Sequence, residues 1–173
     1  GKVTLAAKNN FMIDHVHIDL VQTEHVIDVQ WCIDDRSSLP TEDVIKGWFQ
    51  QCLRELEAQP TEVCLRIVNE KEISELNSQY RGKSGATNVL SFPNDAIDEG
   101  GRVLLGDIVI CSDVVKAEAG NQFKSIEAHF AHLLVHGVLH LQGHDHSEDD
   151  QALVMETIEI KLMKCLGFSD PYE

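Results

Sequence analysis

The stretch "AHLLVHGVLHLQGHDH", residues 131–146, reads as the end of an interior helix and the turn that leaves it. We place the helix from about Ser125 to Gln142 and a second one from Glu148 to Leu166, joined by "GHDHS". On an α-helix, residues four apart are separated by about 40° around the axis and about 6 Å along it. His136 and His140 therefore project side by side from one face. His146 cannot join them from the same straight helix, so the chain must turn. Gly143 is the residue that accepts the left-handed conformation such an exit needs.

The resulting H-x-x-x-H-x-x-G-x-x-H spacing brings His136, His140 and His146 together as candidate ligands of one metal ion per chain. Three neutral imidazoles suit Zn2+, which they hold at three corners of a tetrahedron. The fourth corner stays open for water, whose pKa such a site brings to about 7. His129 and His132 fall on the same helical stripe and read as packing residues or as supports for the ligands. Asp145 is placed to orient an imidazole through its free N–H. The spacing is also that of metzincin zinc proteases, whose motif carries a Glu base directly after the first His. Gly137 occupies that position here, so a protease reading lacks its proton acceptor.

Outward from this helix, short β-branched runs alternate with amphipathic helices. "VIDVQW" (26–31) reads as a strand, and Thr41 caps a helix in which Val44, Ile45, Trp48, Phe49, Cys52, Leu53 and Leu56 recur at helical spacing. "EVCLRIVN" (62–69) is a second strand, followed by a helix over about Glu70 to Gln79. "YRGKSGATNVLSFP" (80–93) begins as a glycine-bearing loop and ends as a strand that Pro93 stops. A fourth strand runs through Leu104 to Cys111, and Asp113 is positioned to cap a short helix toward Gly120. Gly167 stands where a helix C-terminus wants glycine. The expected fold class is α+β: a small mixed sheet of about four strands packed with about five helices, with the metal site on a central helix and the turn after it.

With 173 residues, 43% of them apolar, one domain over residues 26–173 is the expectation. Residues 1–25, which include His15, His17 and His25, read as a leader or a loosely attached N-terminal extension. There is no run of 18 uncharged apolar residues and no secretory signal pattern, so we expect a soluble, cytoplasmic protein without a membrane partner. Cys32, Cys52, Cys64, Cys111 and Cys165 are odd in number, form no C-x-x-C pair and sit among aliphatic residues, as reduced core thiols do. The net charge of −15 opposes nucleic-acid binding in general. Its distribution leaves an opening: from Leu76 to Asn94 there is no Asp or Glu, and Arg81 and Lys83 lie inside that window.

"YRGKSGATNVLSFP", "LLGDIVIC" and "AHLLVHGVLHLQGHDH" together resemble the YbeY family of bacterial endoribonucleases, over about Val26 to Tyr172. The sequence departs from that pattern at His144, where Tyr is frequent, and at Ser84-Gly85-Ala86, where Asp-x-Pro is common. The resemblance implies that the three histidines bind zinc and that a loop arginine, falling on Arg81, is required for catalysis. It also implies single-stranded RNA as substrate, a role in maturing the 3′ end of small-subunit ribosomal RNA, and ribosome quality control. Ribosomal RNA and ribosomal proteins are then the expected partners, and DNA is not.

In such a hydrolase Arg81 would be the catalytic residue, bracing phosphate oxygens, while Lys83 would help bind the strand. Asn88, Ser91 and Asp107 are candidates to line the cleft, with Asp107 equally readable as a strand-edge residue. Two other functions remain open: a zinc hydrolase of another class such as a peptidase, and a non-catalytic assembly factor using zinc for structure. An open coordination position speaks against the last, because structural zinc is usually closed by four protein ligands.

Overall fold

The computed structural model describes residues 25–173; residues 1–24, His15 and His17 among them, lie outside the described residues, while His25 accepts from the Gln50 side chain at 2.9 Å and from the Thr61 amide at 3.2 Å. The element order is β1 (Val26–Trp31), α1 (Glu42–Glu55), β2 (Thr61–Val68), α2 (Glu70–Arg81), β3 (Val89–Ile97), β4 (Val103–Cys111), α3 (Ser112–Asn121), α4 (Ile126–Leu141) and α5 (Asp149–Cys165). The strands form one sheet in the order β1-β2-β4-β3. β1, β2 and β4 are parallel, and β3 runs antiparallel to β4 along the outer edge. This is the mixed sheet and helix complement expected of the α+β class.

Alternation along the strands divides the core, since successive side chains point to opposite faces. Val63, Leu65, Ile67, Ile108 and Ile110 pack under α1, α4 and α5. Val68, Val109, Cys111 and Leu90 form a smaller cluster with Ile73 of α2 on the other face. Helix α4 lies in the middle of the larger layer, with Phe130, Ala131, Leu134, Val135, Val138 and Leu139 fully buried. A helix apolar on nearly every side belongs in the interior. Thr41 caps α1 by accepting from the Val44 amide at 3.3 Å, although Val44 itself stays exposed. All five cysteines are free, and burial pushes the Cys52 thiol up to about 12.

Four local expectations are corrected. Helix α2 does not stop at Gln79 but runs through Arg81, because Gly82 is the first residue that takes the left-handed conformation (φ +63°). Pro93 does not end β3, which continues to Ile97; its ladder with β4 is irregular between Pro93 and Ala96, and an edge strand tolerates the missing N–H there. Asp113 lies inside the first turn of α3 instead of capping it, and Cys111 holds the cap position without a side-chain bond. Asp107 is no edge residue, because β4 lies between β2 and β3 and pairs it with Cys64 and Phe92.

Gly137 lets α4 settle onto the sheet. A Cβ there would come within 3.0 Å of two Ile108 side-chain atoms. Gly137→Leu should therefore overpack this contact and lower stability by about 1–3 kcal/mol, read as a lower urea midpoint with unchanged slope. Among the described residues, no helix is long and apolar enough to cross a membrane.

Candidate functional site

Helix α4 ends in a hydrogen-bonding pattern that returns the chain on itself. The Gly143 amide donates to the His140 carbonyl at 3.0 Å and the His144 amide to the Leu139 carbonyl at 3.0 Å, with Gly143 at φ +94°. This is the Schellman arrangement, which satisfies the last carbonyls of a helix and redirects the chain. His146 is thereby carried back beside the helix it has just left. Its ring centroid lies 5.4 Å from that of His136 and 5.0 Å from that of His140.

One nitrogen from each of His136, His140 and His146 can be chosen so that all lie within 4.8 Å of one another. The Nε2 atoms of His136 and His140 are 3.0 Å apart. Nitrogens held by one tetrahedral zinc at about 2.0 Å from the ion are about 3.3 Å apart, so this donor set fits such an ion with small adjustments. Burial, then the proximity of His136 and His146, holds the His140 ring below its ordinary pKa, which favours the neutral form that coordinates metal. His144 is half-buried and outside this group, lining a separate depression with Asp150 and Val154.

Two carboxylates address the Nδ1 side of the cluster. Asp145, exposed, accepts from the His146 amide at 2.7 Å and lies 3.4 Å from its Nδ1. The His146 amide and the Ser147 hydroxyl hold the Asp145 carboxyl below its ordinary value. The second, Glu159 of α5, is buried. One of its oxygens meets His136 Nδ1 at 2.5 Å, and the other meets His132 Nε2 at 3.0 Å and accepts from the Tyr172 hydroxyl. Burial alone would raise this carboxyl, but the bonds from His132, His136 and Tyr172 outweigh it and bring it down to about 2. Burial and the bond to Glu159 push the Tyr172 phenol upward in turn.

Neither Glu159 nor Tyr172 stands out as a site residue in the sequence. A signal for Glu159 did exist, because it shares the buried stripe of α5 with Met155, Leu162 and Met163, where an acid is out of place. Tyr172 carries no such mark. The other stripe residues are accounted for by local partners: His132 by Glu159, and His129 by Glu118 of α3 at 3.1 Å.

The histidines and Asp145 open into a cleft of about 580 Å³ whose remaining wall is Tyr80, Arg81 and residues 87–93. Arg81, the last residue of α2, is exposed at this wall. Asn88 and Ser91 also line it, with Asn88 Nδ2 donating to Glu118 at 3.0 Å. Lys83, exposed and past the end of α2, does not line the cleft. Asp107 does not either; it is exposed beside Cys64, whose thiol is pushed up to about 12 by burial and by Asp28 and Asp107. Because removing the buried carboxylate would leave His132, His136 and Tyr172 without their shared acceptor, Glu159→Ala should lower stability by about 2–4 kcal/mol, measured by urea denaturation at neutral pH.

Comparison with known proteins agrees with this architecture. The solution structure of TM1509 from Thermotoga maritima is similar, with 25% sequence identity and a TM-score of 0.55, the match covering 84% of this chain and 99% of that one. The family model described as Endoribonuclease YbeY matches residues 32–167, which span strands β2 to β4, the cleft and all three histidines. On that match, the chain belongs to the YbeY endoribonuclease family.

Proposed function

We propose that this chain is a zinc-dependent endoribonuclease specific for single-stranded RNA. We further assign it to the cytoplasm, in maturation of the 3′ end of small-subunit ribosomal RNA and in ribosome quality control, with ribosomal proteins as partners. The observation that carries the reading is one cleft lined by His136, His140 and His146 and by Arg81. An endoribonuclease family with this donor set supports a metal-assisted phosphodiester hydrolysis.

In this reading His136, His140 and His146 hold one Zn2+. When bound, the ion supplies Lewis-acid activation of water and of a phosphoryl oxygen. The protein's own groups do the rest. Glu159 accepts the Nδ1 proton of His136, which leaves Nε2 as the donor atom facing His140. Asp145 orients His146 from the opposite end of the cluster. Arg81 presents a planar fork to two phosphate oxygens and stabilises the charge that grows on them. Lys83, outside the cleft, contributes attraction to the strand and no chemistry.

One feature favours a second reading, a peptidase: residues 87–93 of the cleft wall include the first part of β3, the edge strand among the described residues, and sheet edges accept extended peptides by strand addition. Against it stands Gly137, which is packed on Ile108 where a metzincin would carry its carboxylate base. Assays on a peptide library and on precursor ribosomal RNA separate the two; peptide turnover without RNA turnover would overturn the ribonuclease assignment.

Arg81→Ala should retain full zinc content and lose about 10²–10³-fold in kcat on single-stranded RNA, with chelator abolishing and added zinc restoring cleavage by the parent protein. Parent-rate cleavage by zinc-loaded Arg81→Ala would remove Arg81 from the mechanism. Glu159→Gln should weaken zinc binding by about 10–100-fold, measured by competition with a chromophoric chelator on protein whose circular dichroism matches the parent.

A further inference from the structure

Metal binding and phosphate binding leave one feature of the cleft unused, an aromatic pair beside Arg81. Tyr80 and Phe92 both line the cleft, and their ring centroids are 5.3 Å apart in an edge-to-face arrangement of 69°. Phe92 is itself packed on the buried cluster of Val68, Ile73, Leu90, Val109 and Cys111, so it is an anchored support. Tyr80 nevertheless remains 61% exposed. An aromatic residue that lines a cleft, is held from one side by a fixed neighbour and keeps most of its surface exposed is pre-organised for a flat apolar ligand.

We propose that Tyr80, braced by Phe92, is a stacking platform for one unpaired nucleobase of the strand whose phosphate Arg81 holds. The proposal rests on the ribonuclease reading and deepens it by naming what selects an unpaired strand. Tyr80 and Arg81 are consecutive on the last turn of α2, so a base and a neighbouring phosphate of the same strand can be met together. The wall from Leu76 to Asn94 that carries Tyr80 and Arg81 holds no carboxylate, and Asp145 lines the cleft on the side of the histidines. Within a duplex each base face is already covered by its neighbours, so the platform offers its contact energy only to a base that is out of the stack. Base-on-aromatic stacking contributes about 1–3 kcal/mol per base, enough to discriminate between unpaired and paired RNA on an otherwise acidic protein.

The test uses the zinc-loaded full chain and a single-stranded 2′-O-methyl oligonucleotide, shown by gel to stay intact over the measurement, carrying one 2-aminopurine as a stacking reporter and an end label for anisotropy. The variants are Tyr80→Phe, which keeps the ring, and Tyr80→Leu, which keeps an apolar contact to Phe92 without a π-face. Expected are quenched 2-aminopurine and unchanged affinity for Tyr80→Phe. For Tyr80→Leu, lost quenching and about 5–150-fold weaker binding are expected, with its binding of a duplex of the same sequence unaltered. Equal affinity and equal quenching in Tyr80→Leu would overturn the platform while the ribonuclease reading stands. Failure of the parent protein both to retain this strand and to cleave its unmethylated counterpart would overturn the two together.

Discussion

A carboxylate removed from water must be answered by donors, and in this protein that requirement ties three parts of the chain to one point. Glu159 lies on the apolar stripe of α5, fully buried, and is met by His132 and His136 of α4 and by the hydroxyl of Tyr172. An unpaired charge there would cost several kcal/mol. With three donors, the same group becomes a rigid junction. The Asp170–Glu173 segment is held over it, with Lys124 Nζ donating to the Pro171 carbonyl at 2.5 Å and the Tyr172 ring meeting His132 edge-on at 5.3 Å. The cleft-facing His136 is thus oriented from behind by a part of the chain that does not line the cleft.

The helix that carries the histidines meets two opposed demands. It buries apolar residues on nearly every side, and it must keep one stripe of imidazoles polar and reachable. The strip His129, His132, His136 and His140 meets the second demand in graded fashion. His129 is buried against Glu118, His132 and His136 are half-buried against Glu159, and His140 faces the cleft. Acidic partners stabilise the inner members, and the outer ones are joined by His146 where the chain turns at Gly143. Gly137 on the sheet side lets the helix sit deep enough against Ile108 for the edge strand β3 to form the opposite wall.

Charge follows the same division of labour. The chain carries −15 overall, yet one wall of the cleft comes from the acid-free span between Leu76 and Asn94. A phosphate approaching Arg81 therefore meets a local field different from that of the whole surface, and field geometry near a cleft decides binding more than net charge does. Among the described residues, Asp145 is the one carboxylate that lines the cleft, and the His146 amide and Ser147 hydroxyl share its charge.

The histidine spacing, the glycine at the turn, the strand and helix periods and the helix start at Thr41 were legible in the sequence, because each is a local property of a few neighbouring residues. Periodicity could not say that α2 would persist to Arg81, since the stop came from the backbone conformation of Gly82. Nor could it say that β3 would run past Pro93, which depended on that strand lying at the sheet edge. Asp107 appeared a cleft candidate in one dimension, but it lies on β4, one strand in from the edge strand that forms the cleft wall. Glu159, Tyr172 and the pairing of Tyr80 with Phe92 were decided only by tertiary structure. Glu159 joins His136 across 23 residues, and the other two contacts likewise bridge separate elements. Local sequence determined which donors this chain owns; packing of α5 and the sheet edge against α4 decided which of them meet, because burial and orientation are properties of the whole core.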